Sequence, residues 1–268
     1  MENVPGMQSA KKESESFLES AARMLEERAG FKTAVWRLNA AAFGVPQDRI
    51  RFFLVGSTTG ILPVRPSEEY QDIHRANLDH DALPPVTLGE AIFDLPVRDA
   101  GTGVAVKRRV APGPETDRRF RRFLTKFGIL RISPLVYNHT VRYHNPRDLE
   151  LYRLLRPGDD SVHLLERHGR DDLMRYRKDV FDDKYARLRS DRPSKTIVAH
   201  LAKDGNGYVH PEQDRSISLR EAARAQSFHD GFVFCGSPSD QWVQLGNAVP
   251  PVLARAIARS FLCALERG

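Results

Sequence analysis

Two blocks near the end of the chain decide its reading: Arg215-Ser-Ile-Ser-Leu-Arg-Glu-Ala-Ala-Arg-Ala-Gln-Ser-Phe228 and Gln244-Leu-Gly-Asn-Ala-Val-Pro-Pro251. Ser218 stands three residues before Glu221. That is the spacing of a capping box, in which the hydroxyl accepts one orphan N–H and the carboxylate reaches back for another. A second helix opens at Pro250-Pro251, where a missing N–H does no harm. Leu253, Ile257, Phe261 and Leu265 then fall on one apolar stripe. Gly246-Asn247 reads as a tight turn just ahead of that helix, a place that suits a negatively charged group. The two blocks therefore predict two capped helices joined by a turn-rich link.

The surrounding chain has 268 residues, 28% charged and 41% apolar, which fits a soluble globular protein with a real core. No apolar run reaches membrane-spanning length, and the N-terminus lacks the pattern of a signal peptide. Only two cysteines are present, Cys235 and Cys263, so a disulfide framework is not expected and a cytoplasmic location is. Both read as structural residues. No metal is expected: His139, His144, His163 and His168 have no ligand set at the right spacing and read as satisfied loop or surface histidines. Trp36 and Trp242 read as packing residues.

The net charge is +6, unevenly spread. Lys107, Arg108, Arg109, Arg118, Arg119, Arg121, Arg122, Lys126 and Arg131 face only Glu115 and Asp117 between positions 101 and 131. A local basic field of this kind suits a polyanion, with nucleic acid the leading partner. A solvated charged surface is the plain alternative.

In chain order, a helix is expected over 13–29, with Phe17, Ala21, Met24 and Leu25 on its apolar face and Gly30 as its stop. Strands are expected over 31–38 and 51–56, with a short helix or turn between them. This is the tail of an α/β layer. Residues 58–85 read as a linker or excursion. Short helices are expected over 88–95, around 118–127 and over 148–155, and the charged 166–192 is weakly patterned. Lys195–His200 and Tyr208–His210 read as a hairpin turning at Gly205-Asn-Gly207.

Four ordered motifs add to this: Glu2-Asn-Val, then Gly44-Val-Pro-Gln-Asp-Arg-Ile-Arg51, then Arg220-Glu-Ala-Ala-Arg-Ala-Gln226, then Gly246-Asn-Ala-Val-Pro250. Each alone is weak: Glu2 suits a solvated surface, and Arg49 with Arg51 suits an ordinary strand edge. In this order they resemble motifs VI, VIII, IX and X of the bacterial-type DNA (cytosine-5)-methyltransferases associated with restriction–modification. Pro85–Pro96 and Asp191–Asp214 are similar to further segments of that family.

The resemblance implies a partial S-adenosylmethionine-dependent, Rossmann-like α/β domain plus a smaller α+β target recognition domain. The expected boundaries are 1–57 for the catalytic part, 58–240 for recognition with motif IX, and 241–268 for motif X and the returning helix. It implies a double-stranded DNA partner, a flipped cytosine and S-adenosylmethionine as cofactor. Glu2 matches the residue that hydrogen-bonds cytosine N3, Arg51 the one that binds O2, and Arg49 its neighbour near the phosphates and the catalytic loop. Asn247 and Ala248 match the turn lining the cofactor site. The basic residues Lys107, Arg108, Arg109, Arg118, Arg119, Arg121 and Arg122 fall in the recognition segment, where they suit DNA contact.

The family's Gly-rich cofactor loop and Pro-Cys nucleophile have no counterpart here: Cys235 follows Phe234 and Cys263 follows Leu262. The expectation is therefore a C-terminal part that needs a complementing N-terminal subunit, or one cut by a truncated or misassigned frame. A non-catalytic DNA-binding module is the alternative. Alone, such a part is expected to aggregate or to be poorly ordered over its first 57 residues.

Overall fold

The computed structural model describes residues 2–3, 11–12, 15–70, 82–99, 125, 136–170, 172 and 185–267. Its sheet has three strands in the order β1 (Glu2–Asn3), β5 (Ile50–Ser57), β4 (Lys32–Asn39), all antiparallel neighbours. A separate two-residue hairpin pairs β2 (Lys11–Lys12) with β3 (Glu15–Ser16). Glu2 lies opposite Phe53, and Lys32 through Asn39 run opposite Ser57 back to Ile50. The tight return between β4 and β5 is a 3-10 turn, Ala40–Phe43, started by the Asn39 side chain and stopped by Gly44 at φ 87.

The central strand β5 explains its own unbroken apolar run. Successive side chains point to opposite faces, and both faces are covered. Phe53 and Val55 enter the main core, while Phe52 and Leu54 pack on helix α1 (Phe17–Ala29). Helix α1 has a full capping box between Ser16 and Glu19 and ends at Gly30, φ 65. Its buried face is Leu18, with Ala21 and Ala22 beside it, rather than the expected stripe. Phe17 and Met24 remain 46% exposed, and Leu25 is exposed too. The short β5 surface admits one column of the helix, and the small residues let it approach.

The main core joins β4 and β5 to α2 (Leu88–Ile92), α5 (Leu219–Ala225), α6 (Pro238–Asn247) and the start of α7 (Pro251–Leu265). Trp36 and Trp242 both belong to it, as packing residues. A second cluster gathers Leu151, Tyr152, Leu155, Leu164, Tyr185 and Val209 around α3 (Pro146–Leu154) and α4 (Ser161–His168). Helix α4 stands mostly ahead of the weakly patterned 166–192, where no element was expected. Asp160 caps its start and Gly169, φ 59, its end.

The expected hairpin over 195–210 does not form. Residues 199–202 and 206–208 are 3-10 turns instead. Ser194 bridges Gln47, Thr196 Oγ1 donates to the Asp48 carbonyl at 2.6 Å, and Val209 bridges Arg187 and Ser216. The segment runs beside the β4–β5 connection because those carbonyls and N–H groups offer partners that its own return leg would have supplied. No single helix among the described residues is long and apolar enough to cross a membrane.

Candidate functional site

Helix α5 starts at Ser218 with the expected capping box, and α7 starts at Pro251 as expected. Between them stands α6, which the turn-rich reading missed although Ser237, Pro238 and Asp240 mark its start. Gly246 and Asn247 are the last residues of α6, not a free turn. Gly246 is needed for proximity: a Cβ there would sit 2.2 Å from the Ala199 nitrogen. The turn itself is Ala248–Pro250. The α7 stripe is covered only at its start: Leu253 is buried, Ile257 half-buried, and Leu265 77% exposed.

Glu2 and Arg51 come together. Glu2 faces Phe53 across the ladder, so Arg51 is its diagonal neighbour on the same face. Arg51 Nε lies 3.0 Å from Glu2 Oε1, an ion pair rather than an aligned hydrogen bond. Arg51 also donates from Nη1 to the Ile50 carbonyl at 2.7 Å. Its side chain is buried, while that of Glu2 is 27% exposed and open to a ligand. Burial lowers the pKa of Arg51, and the Glu2 charge pulls it back up.

Arg49 is committed elsewhere. It is 1% exposed and donates to the carbonyls of Ile197 at 2.7 Å, Gly246 at 2.8 Å and Ala248 at 3.0 Å. The guanidinium thus ties the start of β5 to the end of α6 and to the turn before α7. Burial, then the Arg51 charge, push its pKa down to about 10, against Glu2. Asn39 fixes the same connection: Oδ1 accepts from Arg49 N at 3.1 Å and Nδ2 donates to Asp48 at 2.9 Å. Beside it, Gln47 is 0% exposed, and neither amide atom has a hydrogen-bond partner among the described residues. A polar group buried unsatisfied is unusual. The motif carried Gln47 in plain view, but nothing in the sequence separated it from its neighbours.

Asn247 is exposed, and its amide makes no hydrogen bond among the described residues, so it fits a role in holding a small polar ligand. The α7 start does not fit an anion site. Pro250 and Pro251 have no N–H, and the Val252 N–H is taken by Ser227 Oγ at 3.3 Å.

The remaining motif residues face inward as scaffold. Arg215 and Glu221 form a buried pair at 2.8 and 2.7 Å. Burial would raise the Glu221 pKa, but Arg215 overcomes this and holds it at about 2. Arg220 donates to the Tyr137 and His229 carbonyls, and Arg224 to the Ala91 carbonyl and Asp230. Gln226 donates to the Leu245 carbonyl at 2.9 Å. His139 contacts Ser218 and the Pro96 carbonyl, and His144 contacts Ser216, so both are satisfied inside the protein. Cys235 and Cys263 are exposed free thiols rather than structural residues. No group of three or more metal-ligating side chains occurs among the described residues. Lys107, Arg108, Arg109, Arg118, Arg119, Arg121 and Arg122 lie outside the described residues.

The C-5 cytosine-specific DNA methylase profile matches residues 1–263. The chain is 31% identical to the type II methyltransferase M.DdeI of Desulfomicrobium norvegicum, over 96% of this chain and 61% of that protein. It is 31% identical to M.AgeI of Thalassovita gelatinovora, over 90% of this chain and 68% of that protein. A crystal structure assigned as a DNA modification methyltransferase encoded within an E. coli prophage shares the fold, with TM-score 0.64 and 21% identity. That match covers 99% of this chain and 68% of the other. The chain spans 61% of M.DdeI, so a substantial part of that relative has no counterpart in it.

Proposed function

The chain belongs to the C-5 cytosine-specific DNA methylase family, and on that premise we propose that it forms the cytosine-holding part of a DNA (cytosine-5)-methyltransferase. The observation that carries this is the Glu2–Arg51 pair on neighbouring strands, beside Arg49, which grips the carbonyls of Gly246 and Ala248 at the end of α6. A thiolate attacking C6 of cytosine pushes electron density onto N3 and O2. Groups already aimed at those atoms stabilise the charge as it develops. Glu2 holds a proton at N3, and Arg51 donates to O2. Their mutual ion pair keeps both oriented before the base arrives, and the burial of Arg51 limits the water that competes for it.

S-adenosylmethionine supplies the methyl group when bound. Asn247 is the side chain here that would hold it, and Arg49 sets the position of that residue by gripping the carbonyls on either side. Neither Cys235 nor Cys263 lies in a Pro-Cys pair, so the nucleophile comes from a complementing polypeptide segment. Duplex DNA is the substrate, and the basic residues between 107 and 122 serve its phosphates.

The test mixes the chain with a complementing N-terminal half, duplex DNA and S-adenosylmethionine labelled in its methyl group. Label should enter DNA with both parts present, and Glu2→Gln should abolish most of it. A folded, associated pair that labels no DNA refutes the proposal.

A further inference from the structure

Helix α5 closes in a Schellman turn. The Ser227 N–H donates to the Arg224 carbonyl at 2.8 Å, and the Phe228 N–H to the Ala223 carbonyl at 2.9 Å. That turn holds Ser227 in the left-handed region, at φ 64. Glycine is the usual residue there, because a Cβ comes too close to the following carbonyl. Helices α1 and α4 follow the rule and close on Gly30 and Gly169. Strain of this kind persists where the surroundings hold the residue in place, so the serine hydroxyl is what needs a reason.

The hydroxyl reaches α7. Ser227 is 0% exposed, and its Oγ accepts from the Val252 N–H at 3.3 Å. Helix α7 has no cap of its own, since Pro250 stands at the N-cap without a side-chain hydrogen bond. Ser227 thus supplies from another helix what an N-cap serine would supply locally. Its neighbour Gln226 donates from Nε2 to the Leu245 carbonyl at 2.9 Å. Two adjacent residues therefore hold the chain on both sides of Asn247, at the end of α6 and at the start of α7. Arg49 holds the carbonyls of Gly246 and Ala248 between them. Asn247 is the polar side chain inside this frame that is not committed to the fold.

We propose that Ser227 is a positioning residue for S-adenosylmethionine, acting through Asn247. Its hydroxyl fixes the α6–α7 turn before the cofactor arrives, so binding does not have to order that turn. This rests on the reading that Asn247 holds the cofactor. Gln226 and Arg49 grip α6 and the turn, and Ser227 adds the polar hold on the α7 side. Glu2 and Arg51 are not touched by it, so its effect falls on the cofactor and not on the base.

The test uses the full 268-residue chain with Ser227→Gly, which relieves the strain and removes the hydroxyl, and Ser227→Ala, which removes the hydroxyl and keeps the strain. In the chain alone, both variants should speed hydrogen exchange at the Val252 amide, while the urea midpoint should fall for Ser227→Ala and hold for Ser227→Gly. With the complementing N-terminal half, equilibrium dialysis should show S-adenosylmethionine bound about three- to tenfold more weakly by both variants, as expected for one lost hydrogen bond. Affinity for duplex DNA should not change. The proposal is overturned by unchanged exchange at Val252, by unchanged cofactor affinity, by cofactor affinity that follows the urea midpoint across the two variants, or by a parent pair that binds no cofactor. A parent pair that binds S-adenosylmethionine and labels no DNA refutes the cytosine-holding role instead, and the dialysis still judges Ser227.

Discussion

Replacing Arg49 with Met removes a guanidinium that donates to the carbonyls of Ile197, Gly246 and Ala248 while keeping most of the apolar stem. Each buried carbonyl left without a donor costs about 1–3 kcal/mol. The Ile197 and Gly246 acceptors lie in buried contacts, and the Ala248 contact is part-buried, so it recovers water more readily. Against the loss stands relief from burying a cation, visible in the Arg49 pKa lowered to about 10. The balance is a loss of about 2–4 kcal/mol, a large share of the 5–15 kcal/mol typical of a whole protein. The expected result in urea is a lower midpoint with an unchanged slope. Native-state hydrogen exchange adds a local signature, with amides of 244–252 losing more protection than those of α5. A loss below about 1 kcal/mol, or a loss shared evenly by α5 and the turn, would refute the view of Arg49 as a clamp on that turn.

Three further outcomes are expected. Gly246→Ala drives a methyl onto the Ala199 backbone nitrogen at 2.2 Å, so α6 must shift, at about 3 kcal/mol or more by thermal unfolding. Gly30→Ala, with open space but φ +65, should cost only about 1–2 kcal/mol, and equal losses at the two sites would contradict the close-packing argument. His210 is held at about 4, below its usual 6.5, chiefly by burial and then by Arg215 and Arg187 against Glu221. The unfolded chain takes that proton first, so stability should fall by about 1–3 kcal/mol as pH drops from 6.5 towards 4. Urea midpoints at about pH 7.5 and about pH 5 should differ accordingly, and His210→Asn should flatten the difference; an unchanged midpoint in the parent protein contradicts this. Glu2→Gln should lower methyl transfer in the complemented assay by about 100-fold or more while moving the unfolding midpoint little, because Glu2 is partly exposed.

Much of the frame was legible in the sequence because local chemistry fixed it. Ser218 and Gly30 cap where their residue types demand, and the run Ile50–Val55 reads as a strand covered on both faces, whereas α1 starts at the Ser16 cap rather than at the expected residue 13. Misreadings came where long-range partners overrode local signals. Gly205-Asn-Gly207 looked like a hairpin turn, yet the flanking residues found other partners: Ser194 bridges Gln47, Thr196 Oγ1 donates to the Asp48 carbonyl, and Val209 bridges Arg187. The α1 stripe was assigned one column off because Leu18 is fixed by its fit to Phe52 and Leu54, not by helix periodicity. At the candidate site, the meeting of Glu2 with Arg51 follows from strand register, which the motif order implied only through family resemblance. The role of Arg49 had no sequence signal: a guanidinium that grips backbone carbonyls looks, in sequence, like one that grips phosphate.

That ambiguity reaches beyond one residue. The stretches 136–145 and 185–217 cross the interior with little regular secondary structure, so their carbonyls need donors from elsewhere. Arginine provides five donors on a rigid plane and can satisfy several carbonyls at once. Arg187 donates to the carbonyls of Tyr152, Leu155, His210 and Gln213, Arg142 to that of Leu201, and Arg220 to those of Tyr137 and His229. Arg187, Arg215 and Arg224 also meet Asp214, Glu221 and Asp230, so their charges are balanced inside the protein. The net charge of +6 counts these interior arginines alongside those at the surface. A basic count therefore overstates the field available to DNA, and Arg49, Arg187, Arg215, Arg220 and Arg224 are spent on holding the loops. What remains for a polyanion is where the charge is unpaired.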